Sequence, residues 1–75
     1  MQCPVCHNQA RNLTPLTLEG VVVGCDRCGD YRVAGDALYP LMALALEQRV
    51  AALDAAKAAS QAGWPIVVAR SMRAD

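Results

Sequence analysis

The residues best equipped for chemistry in this 75-residue sequence are its four cysteines, Cys3, Cys6, Cys25 and Cys28. They form two Cys-x-x-Cys pairs, Cys3-Pro4-Val5-Cys6 and Cys25-Asp26-Arg27-Cys28, with 18 residues between them. Two intervening residues put both sulfurs of a pair on one tight turn, with backbone N–H groups facing the sulfurs. Zinc takes four soft ligands in a tetrahedron, and two such turns supply them. The spacing predicts one structural zinc ion on Cys3, Cys6, Cys25 and Cys28. An ion with all four positions filled by protein sulfur has no open site for substrate, so it is not expected to be catalytic.

Other uses of these thiols fit less well. A rubredoxin-like iron site uses similar turns, but it is expected to have a more aromatic shell than Tyr31, Tyr39 and Trp64 offer. A thiol redox centre needs one pair beside a βαβ pattern, which this sequence lacks. Two disulfides imply secretion, whereas Met1-Gln2-Cys3-Pro4 shows neither the basic region nor the apolar run of a signal peptide. His7 follows Cys6 and is the alternative fourth ligand. Beside four cysteines it reads better as a knuckle residue in the place that Gly29 takes in the second turn. A left-handed backbone is often needed there, and His tolerates it better than most residues.

Nothing else in the sequence suggests catalysis: there is no second histidine, no activated serine and no carboxylate pair around a pocket. No small-molecule substrate is evident, and the chain is not expected to be an enzyme. Seven basic and seven acidic residues cancel, and a divalent ion on four thiolates brings the loaded chain to about −2 by arithmetic (+2 − 4). Affinity for nucleic acid depends largely on cations that neutralise phosphates, so the balance disfavours it. Arg11, Arg27 and Arg32 are expected to offset thiolate charge or face solvent. No apolar stretch is long enough to span a membrane, and reduced cysteines point to a cytoplasmic location.

The elements that must position the cysteines can be read around them. Residues 1–34 are punctuated by Pro4, Pro15, Gly20, Gly24 and Gly29. Val21-Val22-Val23 and Tyr31-Arg32-Val33 flank the second cysteine pair and read as the arms of a hairpin. Leu16-Thr17-Leu18 is a candidate third strand. Asp36 is placed to cap a helix, with Pro40 in or near its first turn, and no Gly or Pro follows until Gly63. The expected helix covers 36–62, and Gly63, Trp64 and Pro65 stop it. Residues 65–70 read as a short strand or extended tail. The fold class is small α+β in a single domain: an N-terminal zinc ribbon, one long α-helix and a short C-terminal strand.

The Cys-Pro-x-Cys near a start methionine and the later Cys-x-x-Cys-Gly resemble the zinc-ribbon class with its paired zinc knuckles. The Leu13-Thr14-Pro15 step, Gly20-Val21-Val22, the Cys28-to-Val33 run and the alanine-leucine helix are similar to short uncharacterised zinc-ribbon proteins of bacteria and phages. The class resemblance covers about residues 1–34 and implies the ribbon fold and the four ligands. His7 departs from it, because a glycine commonly follows the first pair. The class hosts many functions.

A helix over residues 37–62 would be about 39 Å long, against roughly 30 Å for a domain of this size. Its apolar face gathers Leu38, Leu41, Met42, Ala45, Leu46, Val50, Leu53 and Ala56, with Arg49 projecting from the middle and Leu44 on the polar side. Arg49 reads as a snorkelling stem or an interface contact. Surplus apolar surface points to a protein partner or a homodimer, through the helix or the terminal strand. The favoured reading is a non-enzymatic interaction module, an adaptor or regulator. The alternative is a nucleic-acid-binding regulator of transcription or translation, for which Arg11, Arg27, Arg32, Arg70 and Arg73 would have to converge.

Overall fold

The β-branched run and the Tyr-Arg-Val run pair as the sequence suggests. In the computed structural model, which describes residues 1–60 and 63–69, β2 (Val21–Cys25) and β3 (Gly29–Val33) are antiparallel. Cys25 lies opposite Gly29 and Val21 opposite Val33, so residues 26–28 form the turn that carries the second cysteine pair. At the start of β2, Gly20 has φ +94°, and a Cβ there would collide with the Val33 carbonyl oxygen. Only glycine allows the chain to enter the sheet this closely.

Two short strands complete a four-stranded sheet in the order β1-β2-β3-β4. β1 is Arg11–Asn12, antiparallel to β2. The third strand is therefore not Leu16-Thr17-Leu18. That segment turns, with the Leu18 N–H donating to the Pro15 carbonyl at 3.1 Å and Leu16 fully exposed. β4 is Ile66–Val67 and runs parallel to β3. It is held by the Arg32 N–H on the Pro65 carbonyl at 2.8 Å and the Ala34 N–H on the Val67 carbonyl at 2.9 Å. The expected C-terminal strand thus pairs within the chain.

The single long helix is replaced by two. A 3-10 turn at Gly35–Ala37 leads into α1 (Leu38–Met42), and α2 follows at Leu46–Ala59. Asp36 caps neither: it lies inside the 3-10 turn, which begins at Ala34 without a side-chain cap. Pro40 sits in the first turn of α1, where its missing N–H costs least. α2 ends at Ala59 with Ser60 as its C-cap, so Gly63 is not its C′ residue, although it does adopt φ +76°. Residues 61–62 of the expected helix, and the tail from Arg70, lie outside the described residues.

Hydrogen bonds from both sides hold the break. The Leu44 N–H donates to the Leu41 carbonyl at 3.1 Å, tightening the last turn of α1. Ala45 then turns extended, with ψ 158°, and the Gln48 side chain accepts its N–H at 3.1 Å. The Leu44 carbonyl accepts instead from the Arg49 guanidinium. A continuous helix would have bonded that carbonyl to the Gln48 N–H. Breaking the run lets both pieces reach the sheet in a body of 34 × 24 × 20 Å.

The core lies between the helices and one face of the sheet. Val23, Tyr31 and Val33 of the hairpin pack with Cys3, Val5, Ala37, Leu41, Ala52, Leu53, Ala56 and Val67. The buried side of α2 is Arg49, Ala52, Leu53 and Ala56, at i, i+3, i+4 and i+7. The alanines let the helix approach the sheet closely. From the expected apolar face, Leu41, Leu53 and Ala56 are buried, and Leu38 packs against the core in part. Met42, Ala45, Leu46 and Val50 are exposed, while Leu44 packs partly against the core. Arg49 neither snorkels nor reaches out to an interface. It points inward, 7% exposed.

Candidate metal centre

Each cysteine pair is shaped by its own backbone. In the first turn the His7 N–H donates to the Cys3 carbonyl at 2.9 Å, and the Cys3 N–H donates to the Asn8 carbonyl at 2.8 Å. Gln2 and Gln9 form an antiparallel bridge that closes the loop behind it. His7 takes φ +64°, and Gly29, one residue after Cys28, takes φ +82°. The two turns therefore share a left-handed residue just past the second cysteine. His7 is exposed, in the role of a knuckle residue.

The sheet then brings the turns together. The four Sγ atoms of Cys3, Cys6, Cys25 and Cys28 all lie within 4.8 Å of one another. Cys6 and Cys25 approach to 3.5 Å, and Cys3 and Cys28 to 3.9 Å. Four sulfurs about 2.3 Å from a central zinc would stand about 3.8 Å apart, so this donor set fits a four-coordinate ion. Cys3 and Cys25 are buried, while Cys6 and Cys28 are partly exposed.

The thiols do not share one electrostatic environment. Burial pushes the Cys25 thiol up, with the hydrogen bonds from Cys28 and Arg27 backbone opposing it. Burial pushes Cys28 up strongly, and the neighbouring thiols of Cys6 and Cys3 add to the effect. At Cys6 burial also acts upward, but hydrogen bonds from the backbone and side chain of Asn8, and from Cys25 and Cys3, outweigh it and draw the thiol down to about 6. A metal entering the site must displace the protons held by Cys25 and Cys28.

Three groups around the site escaped the sequence reading. The Tyr31 hydroxyl lies 3.0 Å from Cys3 Sγ and is fully buried. Asn8 serves Cys6 through its amides. The Arg49 Nε donates to the Val5 carbonyl, inside the first cysteine pair, at 2.8 Å. Strand alternation was the available signal for Tyr31, because positions 29, 31 and 33 share one face of β3. No sequence signal marks Asn8 or the reach of Arg49.

Arg11 and Arg32 stand on the face of the sheet opposite Tyr31, while Arg70 and Arg73 lie outside the described residues. Arg11 lies 4.0 Å from Asp26 and 3.9 Å from Asp30, all three well exposed. Arg32 donates to the Glu19 carbonyl at 3.4 Å, and Arg27 is exposed. Searches of protein-family models, curated proteins and solved structures found no match to this chain. Among the described residues no helix is long and apolar enough to cross a membrane.

Proposed function

We propose that this chain is a non-enzymatic zinc-binding interaction module, an adaptor or regulator in which a zinc ribbon holds the fold and the helical segment meets another protein. Zinc suits four thiolates in a closed tetrahedral arrangement, and such a site stabilises structure rather than presenting an open coordination position. The observation that carries the reading is the run of outward apolar side chains on α1 and α2. Tyr39 is 80% exposed, Met42 52%, Leu46 54% and Val50 40%. Exposed large apolar groups that join into one patch mark an interaction site. With β4 already paired in the chain, the helices are the better candidate than the terminal strand.

The test is recovery of partners from the native host by zinc-loaded protein, with and without nuclease, beside the Leu46→Glu variant. A protein recovered by the wild type, lost with Leu46→Glu and indifferent to nuclease is the expected result. Sedimentation over a concentration range covers the homodimer, whose dissociation should follow the same substitution. Nuclease-sensitive recovery would favour the nucleic-acid regulator instead. Asp26 and Asp30 beside Arg11 speak against that outcome, since their negative charge weakens any phosphate-binding face there. Failure to recover anything, with monomer mass at every concentration, would refute the interaction reading.

A further inference from the structure

Tyr31 is the one aromatic side chain of the three in this sequence that is completely buried. Phenylalanine would fill the same space without a polar atom to satisfy, so the hydroxyl calls for a reason. Its surroundings supply one. The phenolic oxygen lies 3.0 Å from Cys3 Sγ, and the Val5 backbone hydrogen-bonds the same oxygen. Cys3 itself has no exposure to solvent.

A buried thiolate is strongly disfavoured unless donors face it. The backbone provides one elsewhere in the site: the Cys28 N–H lies 3.4 Å from Cys25 Sγ. Asn8 does the same for Cys6. At Cys3 a side-chain hydroxyl faces the sulfur. A metal-bound thiolate can only accept, so the phenol must donate, with its lone pair left to receive the Val5 N–H.

We propose that Tyr31 is an outer-shell donor to the metal-bound Cys3 thiolate and so sets how tightly, and how inertly, the site holds its ion. This rests on the reading of the four cysteines as a metal site. The O–H bond draws electron density from one of four crowded anionic sulfurs, orients that sulfur toward the ion and blunts its attack on electrophiles. Tyr31 is a positioning residue, since it acts through Cys3 and does not touch the metal. Outer-shell partners of this kind typically change metal affinity by about 10–100-fold when removed.

Cobalt(II) substitution of the full chain separates the possibilities. Wild-type protein should give the intense visible bands of a four-sulfur tetrahedral site, which tests the metal reading independently of Tyr31. Tyr31→Phe should keep those bands but shift the sulfur-to-metal charge-transfer band to lower energy, because the Cys3 lone pairs lose a stabilising proton. Its metal affinity should fall by about 10-fold or more, and iodoacetamide should label Cys3 of the loaded variant faster. An unmoved band with unchanged affinity and labelling would reduce Tyr31 to a core filler and overturn the proposal. Should the variant not fold, cadmium-113-loaded wild type still decides the matter. A slowly exchanging Tyr31 hydroxyl proton coupled to cadmium through Cys3 supports the bond, and a rapidly exchanging, uncoupled one refutes it. A wild type with no four-sulfur cobalt spectrum would refute the metal site itself, a different failure from that of Tyr31.

Discussion

Arg49 and Val5, separated by 44 positions, are joined by a 2.8 Å hydrogen bond from the guanidinium Nε to a buried carbonyl. The same guanidinium reaches the Leu44 carbonyl at the break between α1 and α2. One side chain therefore ties the second turn of α2 to the loop between Cys3 and Cys6, and to the end of the preceding helix. The first cysteine loop and the helix are not independent parts resting on each other. Their backbones share a donor.

Arg49→Met keeps most of the apolar stem and removes both bonds. Leaving a buried carbonyl unpaired costs roughly 1–3 kcal/mol, so the two together should cost about 2–6 kcal/mol, much of the stability of a small domain. Denaturant unfolding of the zinc-loaded protein measures this. Arg49→Lys should recover only part of the loss, since an ammonium cannot present the planar fork that meets two carbonyls. A wild-type midpoint in Arg49→Met would show that neither bond matters.

Purified protein should carry one zinc per chain, and serine at Cys3, Cys6, Cys25 or Cys28 should unfold the ribbon. Structural zinc in small peptides contributes on the order of 10–16 kcal/mol, more than a domain of this size holds in total. Metal analysis and NMR before and after chelation check both statements. A well-dispersed spectrum that survives complete chelation would remove the structural role.

His7→Ala should leave the zinc content at one per chain, because His7 is an exposed backbone device and the four sulfurs lie elsewhere. Its left-handed φ of +64° predicts the stability order. His7→Gly should be neutral or stabilising. His7→Val should lose about 1–2 kcal/mol, the cost of holding an ordinary L-residue in that region. Thermal melts of the loaded proteins read the order, and loss of zinc from His7→Ala would mean that a different fourth ligand operates.

Metal affinity should fall as pH falls, and the sign follows from the thiols. Burial raises Cys25 and Cys28 above their ordinary value, so metal-free protein holds protons on both at neutral pH. Binding releases them, and mass action makes binding tighter at higher pH. Where chelation unfolds the ribbon, Cys6 also loses the hydrogen bonds that draw it down and returns to the ordinary thiol range of about 8.5, protonated at pH 7. Calorimetry in buffers of different ionisation enthalpy should count at least the two protons of Cys25 and Cys28 per metal at pH 7. A release of zero at pH 7 would contradict the site described here.

Much of the site was legible because its constraints are local. Cys-x-x-Cys fixes two sulfurs on one turn, and the runs at Val21 and Tyr31 announce the hairpin that carries the second turn. The helical half was less legible. An alanine-leucine run without Gly or Pro gives no reason to stop at Met42, and the break is held by side chains further on, Gln48 on the Ala45 N–H and Arg49 on the Leu44 carbonyl. Judged by the spacing of Leu46, Val50 and Leu53, the stripe faces one way, yet α2 buries Ala52 and Ala56 with Leu53 and turns Leu46 outward. Helix rotation is set by how closely alanine lets the backbone approach the sheet, which a count of apolar positions does not weigh. Leu16-Thr17-Leu18 looked like a strand by composition, but the Pro15 carbonyl closes it into a turn.

The parallel strand at the C-terminal side has a kinetic consequence. The β2–β3 hairpin closes between neighbours, whereas Val33 meets Val67 only after the 34 positions from 33 to 67 have been brought round. Closing that longer loop costs more chain entropy, and non-local pairing forms late. β4 offers only two residues in return. It should be the last strand to join and the first to leave, well before the hairpin opens. Amide exchange should therefore be faster at Arg32 and Ala34, whose N–H groups bond across to the Pro65 and Val67 carbonyls, than at the hairpin amides joining β2 to β3. Each such opening uncovers the outer edge of β3, so the interval between openings sets how long that edge is protected from pairing with another chain.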